Sequence, residues 1–195
     1  MGKCQRFHRR RRASVQLTMD NFQIDEILST FKIIADRREQ DTPKARERYK
    51  AFGVPVIRAT LDYGDYAAQI TLPSGDLLDI SNRCRPQCVV ERKMSLDELA
   101  GCLTRGRDRF EMEFERATSN NARVFLLVEN ASWEALLNHR YRSRFHPNAF
   151  KASLSAWLIR YNLYPIFCKS GTSAELIREV LYRDIKERLV RGEYG

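Results

Sequence analysis

Residues 122–130, ARVFLLVEN, limit most narrowly what this chain can become. Val124, Phe125, Leu126, Leu127 and Val128 are apolar without interruption, whereas a strand with one face in water would place a polar residue at every second position. The segment therefore reads as a strand buried in a sheet, and such a sheet needs helices to cover it.

The rest of the chain supplies strands and helices in alternation. A short helix is expected over residues 22–30 and a compact strand around Phe31, Ile33 and Ile34. Thr42-Pro43 places a cap residue before a proline in the first helical position, and Gly53 ends that helix. Residues 55–72 read as one or two strands broken near Tyr63-Gly64-Asp65, and the PSGD turn at 73–76 leads into a further hairpin strand. CVVERK, residues 88–93, is another strand. From Ser95 the apolar period becomes helical, with Leu96, Leu99, Leu103, Phe110 and Phe114 in one helix to about residue 117 and Gly106 as its bending point. Two later helices carry Phe150, Leu154, Trp157, Leu158 and Tyr161, then Leu176, Val180, Leu181, Ile185 and Leu189, the second opening on a Thr172-x-x-Glu175 capping box. LYPIFC lies between them as a strand. The order predicts an α/β sandwich with a mixed central sheet flanked by helices.

A net charge of +9 in 195 residues points to a polyanionic partner, because each cation set on a phosphate releases counterions. Residues 1–20, with Arg9 to Arg12 in a row, are expected to be a flexible basic arm, and residues 21–195 a single domain with a C-terminal helical extension. No apolar run is long enough for a membrane span, and the first residues lack the apolar core of a signal peptide. An intracellular location is expected, the cytoplasm or, in a eukaryotic host, the nucleus. Five scattered cysteines fit free thiols better than a disulfide framework. Cys84-x-x-x-Cys88 supplies only half of a zinc site. No GxxxxGK[ST] loop is present, so no use of ATP is expected.

Three candidate strand ends terminate in acids: Asp36 with Glu39, Asp65, and Glu91. Carboxylates held together by a sheet repel one another unless a cation lies among them, and all-oxygen sites suit Mg²⁺ or Mn²⁺. A divalent ion there would serve phosphodiester hydrolysis. Lys93 stands two residues beyond Glu91, so both side chains share one face of the strand while Arg92 takes the other. Asp97 falls in the first turn of the following helix, where the macrodipole favours an acid.

DRRE at 36–39, GDY at 64–66 and VVERKMSLD at 89–97 resemble, in order, the DxRE, GDY and VERKxxxD series of the XPF-type structure-specific endonuclease domain, a branch of the PD-(D/E)xK nuclease superfamily. The resemblance runs from about residue 31 to 130, where VFLLVEN matches an apolar strand closing on glutamate. It implies a restriction-endonuclease-like sandwich, with Asp65 and Glu91 holding the metal, Asp36 adding to it, Lys93 assisting water or phosphate, and Asp97 completing the acidic surround. Arg38, Glu39 and Arg92 match further motif positions with positional roles. The family's arginine after the catalytic helix is either Arg107 or Arg109. The implied activity is metal-dependent cleavage of branched, flap, fork or junction DNA by a homodimer. A non-catalytic branched-DNA-binding or scaffold protein is the alternative. The segment between Asp65 and Glu91 is longer than the family pattern, no helix-hairpin-helix module follows residue 130, and the compact layout suggests a phage or prophage version.

Overall fold

The computed structural model describes residues 19–78 and 86–193. The expected basic arm lies almost entirely outside the described residues, as does Cys84. The chain runs α1 (Asn21–Ser29), β1 (Lys32–Asp36), α2 (Pro43–Ala51), β2 (Val56–Ala59), β3 (Tyr66–Thr71), β4 (Leu77–Leu78), β5 (Cys88–Lys93), α3 (Leu96–Leu103), α4 (Arg107–Ser119), β6 (Arg123–Glu129), α5 (Trp133–Leu137), α6 (Pro147–Arg160), β7 (Leu163–Cys168), a 3₁₀ turn (Ser170–Thr172) and α7 (Ser173–Arg191).

The strands form one mixed sheet in the order β2-β1-β3-β5-β6-β7, with β4 paired to β3. β3 runs antiparallel to both β1 and β5, while β5, β6 and β7 are mutually parallel. Side chains alternate between the two faces, as a period of two requires. Ile34, Ala67, Val89, Val124, Leu126 and Val128 meet α3, α4, α5 and α6 on one face. Ile33, Ala35, Tyr66, Ala68, Val90 and Leu127 meet α1 and α7 on the other, together with Phe52 just after α2. Leu127 at 0% exposure and Leu126 at 1% show why that run has no polar alternation. α7 is thus a structural layer of the domain, with Ile177, Leu181, Ile185 and Leu189 all inward.

Three local expectations are corrected. The helix expected from Ser95 to residue 117 is two helices, because the chain turns at Thr104 to Gly106 and α4 restarts at Arg107 without a side-chain cap. A short helix, α5, lies where none was expected, opened by the Ser132 hydroxyl accepting from the Ala135 N–H. The capping box at Thr172 does not form. Its hydroxyl instead donates to the Lys169 carbonyl, and the 3₁₀ turn leads directly into α7. Trp157 and Phe150 are fully buried and Tyr161 nearly so, and all three pack with Phe110, Phe114, Tyr141 or Phe145 in the α4–α6 layer. None of the described helices is long and apolar enough to cross a membrane.

Candidate active site

The sheet register brings the acids together. Ala35 pairs with Tyr66 and Tyr66 with Val90, so one further step places Asp36 opposite Asp65 and Asp65 opposite Glu91. The Asp36 N–H donates to the Asp65 carbonyl at 2.8 Å, and the Asp65 N–H to the Val90 carbonyl at 2.9 Å. These acids share the face of Ile34, Ala67 and Val89, and so look toward α3 and α4. Opposed residues of an antiparallel pair stand about 4.5–5.5 Å apart, close enough for like charges to destabilise the sheet.

The sharp approach into β3 depends on Gly64, whose φ of +75° suits glycine and whose missing Cβ would lie 2.6 Å from the Val89 Cβ. Its N–H donates to Glu113 Oε1 at 2.9 Å, tying the β3 entrance to α4. Beyond β5 only Met94 and Ser95 precede α3. The Ser95 hydroxyl accepts from the Glu98 N–H, while the Glu98 carboxylate accepts from the Met94 N–H at 2.7 Å.

A cavity of about 390 Å³ lies over the acidic row, lined by Asp36, Asp65, Glu91, Lys93, Glu98 and Glu113, with Arg38, Arg92, Arg109 and Arg116 around them. The Lys93 ammonium donates to Glu91 Oε1 and sits 4.8 Å from the centre of the Phe110 ring. Glu91 Oε2 is buried without a hydrogen-bond partner. Asp65 Oδ2 accepts the Arg92 N–H at 2.8 Å. Burial first, then the Asp65 carboxylate beside it, pushes Glu91 well above the carboxylate range despite Lys93. Burial likewise raises Asp65, with Lys93 and the Arg92 N–H pulling the other way. Burial works against the Lys93 charge, but Glu91 and Asp65 outweigh it and hold the ammonium protonated.

Two expected residues are placed differently. Asp36 is in the cavity wall, but its oxygens are already committed. Oδ1 accepts from the Arg38 N–H at 2.6 Å and from Arg38 Nε at 2.8 Å, while Oδ2 accepts from Arg38 Nη2 at 2.9 Å and the Leu61 N–H at 2.8 Å. Burial alone would raise its pKa, yet the Arg38 contacts hold it below the usual range. In this arrangement each of its oxygens accepts two hydrogen bonds, and it clamps the β1 exit. Asp97 does not reach the cavity. Its Oδ1 accepts the N–H groups of Arg142 and Ser143 at 2.7 Å each, so it anchors the 139–146 loop.

The two arginines left open by the sequence are separated by the helix. Arg109 lines the cavity, whereas the Arg107 guanidinium lies 5.4 Å from the Trp157 ring, toward α6. Arg109, Glu113 and Arg116 follow at i, i+4 and i+7, so they share one face of α4 beside the one that carries Phe110 and Phe114. Glu39 and Arg92 line the cavity as well and tie it to the support beneath. Glu39 accepts from Arg48 at 2.8 Å and from the Tyr49 and Tyr66 hydroxyls, and Arg92 pairs with Glu129 at 2.9 Å.

The donor set fits a hard divalent cation: all oxygen, with one buried carboxylate oxygen unpartnered. Among the described residues no three Asp, Glu, His or Cys side chains form a complete metal cage. Two carboxylates suffice for Mg²⁺, which commonly keeps waters or phosphate oxygens at its other positions.

The raised carboxyls set a direction for stability. Between the ordinary carboxylate range and about 8, native Glu91 retains a proton that the unfolded chain has lost. The native state then binds more protons than the unfolded state, and stability falls as pH rises. In chelator, the loss of about 3 kcal/mol between pH 5.5 and 8 that this implies is expected to lower the melting temperature by roughly 6–12 °C, at roughly 2–4 °C per kcal/mol for a chain of this size. Glu91→Gln should flatten that slope in the same thermal melts. An unchanged slope would mean that Glu91 is ionised throughout.

The ERCC4 domain model matches residues 35–180 of the chain. No curated protein matches it. Among solved structures the chain is similar to XPF from Aeropyrum pernix, at 24% identity over 78% of this chain and 61% of that chain, with a TM-score of 0.55. It is also similar to XPF from Aeropyrum pernix in complex with DNA, at 25% identity over 80% of this chain and 65% of that one, with a TM-score of 0.54. It therefore spans less than two thirds of either XPF chain. A family match that starts at β1, takes in the whole acidic row and ends within α7 leaves one conclusion: the chain belongs to the ERCC4 domain family.

Proposed function

We propose that this chain is a metal-dependent DNA endonuclease that hydrolyses phosphodiester bonds in branched DNA, such as flaps, forks or junctions, and works as a homodimer. The observation that carries the reading is the unpartnered, buried Glu91 Oε2 beside Asp65 and Lys93. A carboxylate oxygen desolvated in this way is costly unless a cation meets it. Mg²⁺ or Mn²⁺ held by Asp65 and Glu91 would supply Lewis-acid polarisation of a phosphoryl oxygen and acidify water there.

The remaining work falls to the chain. Lys93, fixed by Glu91 and by the Phe110 ring, offers its other N–H groups to a phosphate in the cavity. Charge that builds on phosphoryl oxygens is then met by a donor already in place, which lowers the barrier without reorganisation. Arg109 and Arg116 on α4 can neutralise neighbouring phosphates. Asp36 with Arg38 keeps the β1 exit rigid, and the Arg92 N–H aims the Asp65 carboxylate. The XPF structure solved with DNA supports DNA as the partner.

The test is a panel of labelled fork, flap and four-way junction DNAs, matched linear duplex and matched RNA, with Mg²⁺, Mn²⁺ or chelator. Cleavage of the branched DNAs with either metal, absent in chelator and at least about tenfold slower on duplex and RNA, is expected. Light scattering should give twice the chain mass. Tight binding with no cut under any condition would instead establish the non-catalytic reading.

A further inference from the structure

The candidate site is one end of a longer depression. An adjoining hollow of about 560 Å³ shares Glu91, Lys93 and Glu113 with it. The next, of about 690 Å³, shares Gly101 and Arg105 with that hollow. A continuous trough therefore leads from the acidic row, over the α3–α4 turn, to the 139–146 loop.

The charge changes along it. At the far end Arg105, Arg142 and Arg144 line the wall with one acid, Asp97. Asp97 is turned into the loop, where it accepts the Arg142 and Ser143 N–H groups and lies 3.4 Å from Arg142 Nε. Among the described residues Arg105 and Arg144 have no ion-pair partner. The loop itself is firmly built. His139 holds φ at +52° with its Nε2 2.9 Å from the Ser143 carbonyl, and the Tyr141 hydroxyl donates to the Phe145 carbonyl at 2.7 Å. The Tyr141 and Phe145 rings both pack on buried Phe150. Yet the Arg142 side chain remains 93% exposed.

A rigid loop that leaves its cations in water gains the isolated chain almost nothing, since exposed ion pairs contribute little. It is instead preorganised for an anion that arrives along the trough. We propose that the trough carries the DNA backbone on one side of the phosphate to be cut, with Arg105, Arg142 and Arg144 contacting successive phosphates. Asp97 is the positioning residue: by binding the Arg142 and Ser143 N–H groups it holds the loop that carries Arg142 and Arg144. This extends the nuclease reading, on which it rests for the identity of the polyanion.

The test is fluorescence anisotropy of a labelled fork DNA in chelator, where neither metal nor cleavage enters. The triple variant Arg105→Ala, Arg142→Ala, Arg144→Ala keeps the backbone groups that bind Asp97, so its melting temperature should match wild type. Its Kd should rise by about tenfold or more, and the slope of log K against log salt should fall by about 2 to 3. Arg183→Ala, on α7 across the sheet, should leave both unchanged. Asp97→Ala should weaken binding several-fold with the slope kept, because the three cations remain. A folded triple variant with wild-type Kd and slope overturns the trough even if the enzyme cuts. So does a wild type that does not bind the fork. Weakened binding by the triple variant of a protein that never cuts sinks the nuclease reading and leaves the trough standing.

Discussion

Glu91→Gln should lower the single-turnover rate of fork cleavage by about 10²- to 10³-fold, the loss typical of removing one preorganised electrostatic group from an active site. Glutamine keeps the shape of the side chain, and its carbonyl can still accept from the Lys93 ammonium that now binds Glu91 Oε1. What it removes is the charge and the second, unpartnered oxygen. A divalent ion would then have one carboxylate instead of two. Lys93→Ala should cause a loss of similar size by another route, since it leaves both carboxylates but takes away the cation beside them. The two variants separate in their metal dependence: raising Mn²⁺ should restore part of the activity of Glu91→Gln and none of Lys93→Ala. Fork affinity measured in chelator should hold for Glu91→Gln, because the substitution keeps the side chain's shape and takes away no cation that faces the phosphate. Rapid-quench kinetics and anisotropy on folded variants check both halves. Cutting at the wild-type rate by either variant would remove that residue from the mechanism.

The acidic row was legible because strand geometry is regular. Alternation put Glu91 and Lys93 on one face, and the three acids fall where neighbouring strands begin or end, so the sheet sets them side by side. The partners of those acids were not legible. Asp36 is the same residue type as Asp65 and stands opposite it, but the turn after β1 returns the Arg38 guanidinium to it and the β2–β3 connection brings the Leu61 N–H, and no sequence pattern records which carboxylate such segments will saturate. The family resemblance puts Asp97 in the acidic surround. The helix turns it toward a loop more than forty residues later, a contact between segments whose approach only the tertiary fold determines. The split at Gly106 followed from a residue already marked as a bend, whereas α5 is one turn long and too short to show a period. Glu113 was within reach of sequence reasoning, since its spacing from Arg109 is that of a helical neighbour.

Arg48 marks the largest gap between sequence and structure, and Arg48→Ala carries the largest expected loss of stability. In the last turn of α2, within KARERYK, it reads as a solvated cation, yet it is 8% exposed. It pairs with Glu39 at 2.8 Å and approaches Glu129 at 3.8 Å, while Arg92 pairs with Glu129 at 2.9 Å and approaches Glu39 at 3.9 Å. Two cations and two anions thus close a neutral square, with the Tyr66 hydroxyl accepting from Arg48 and donating to Glu39. Deleting Arg48 leaves an excess buried negative charge, for which about 3–5 kcal/mol of destabilisation is typical. Urea unfolding should show that loss at pH 7. The partner charge explains the loss only if Arg48→Met with Glu39→Gln regains most of it, since a buried pair replaced by neutral groups of similar volume is often nearly neutral in energy. A double variant no better than the single would assign the loss to packing. The square also bears on the candidate site, because Arg92 joins it by its guanidinium while its N–H holds Asp65. The Arg48 variants should therefore cut more slowly even at temperatures where they remain folded, and the double variant should recover rate in step with stability.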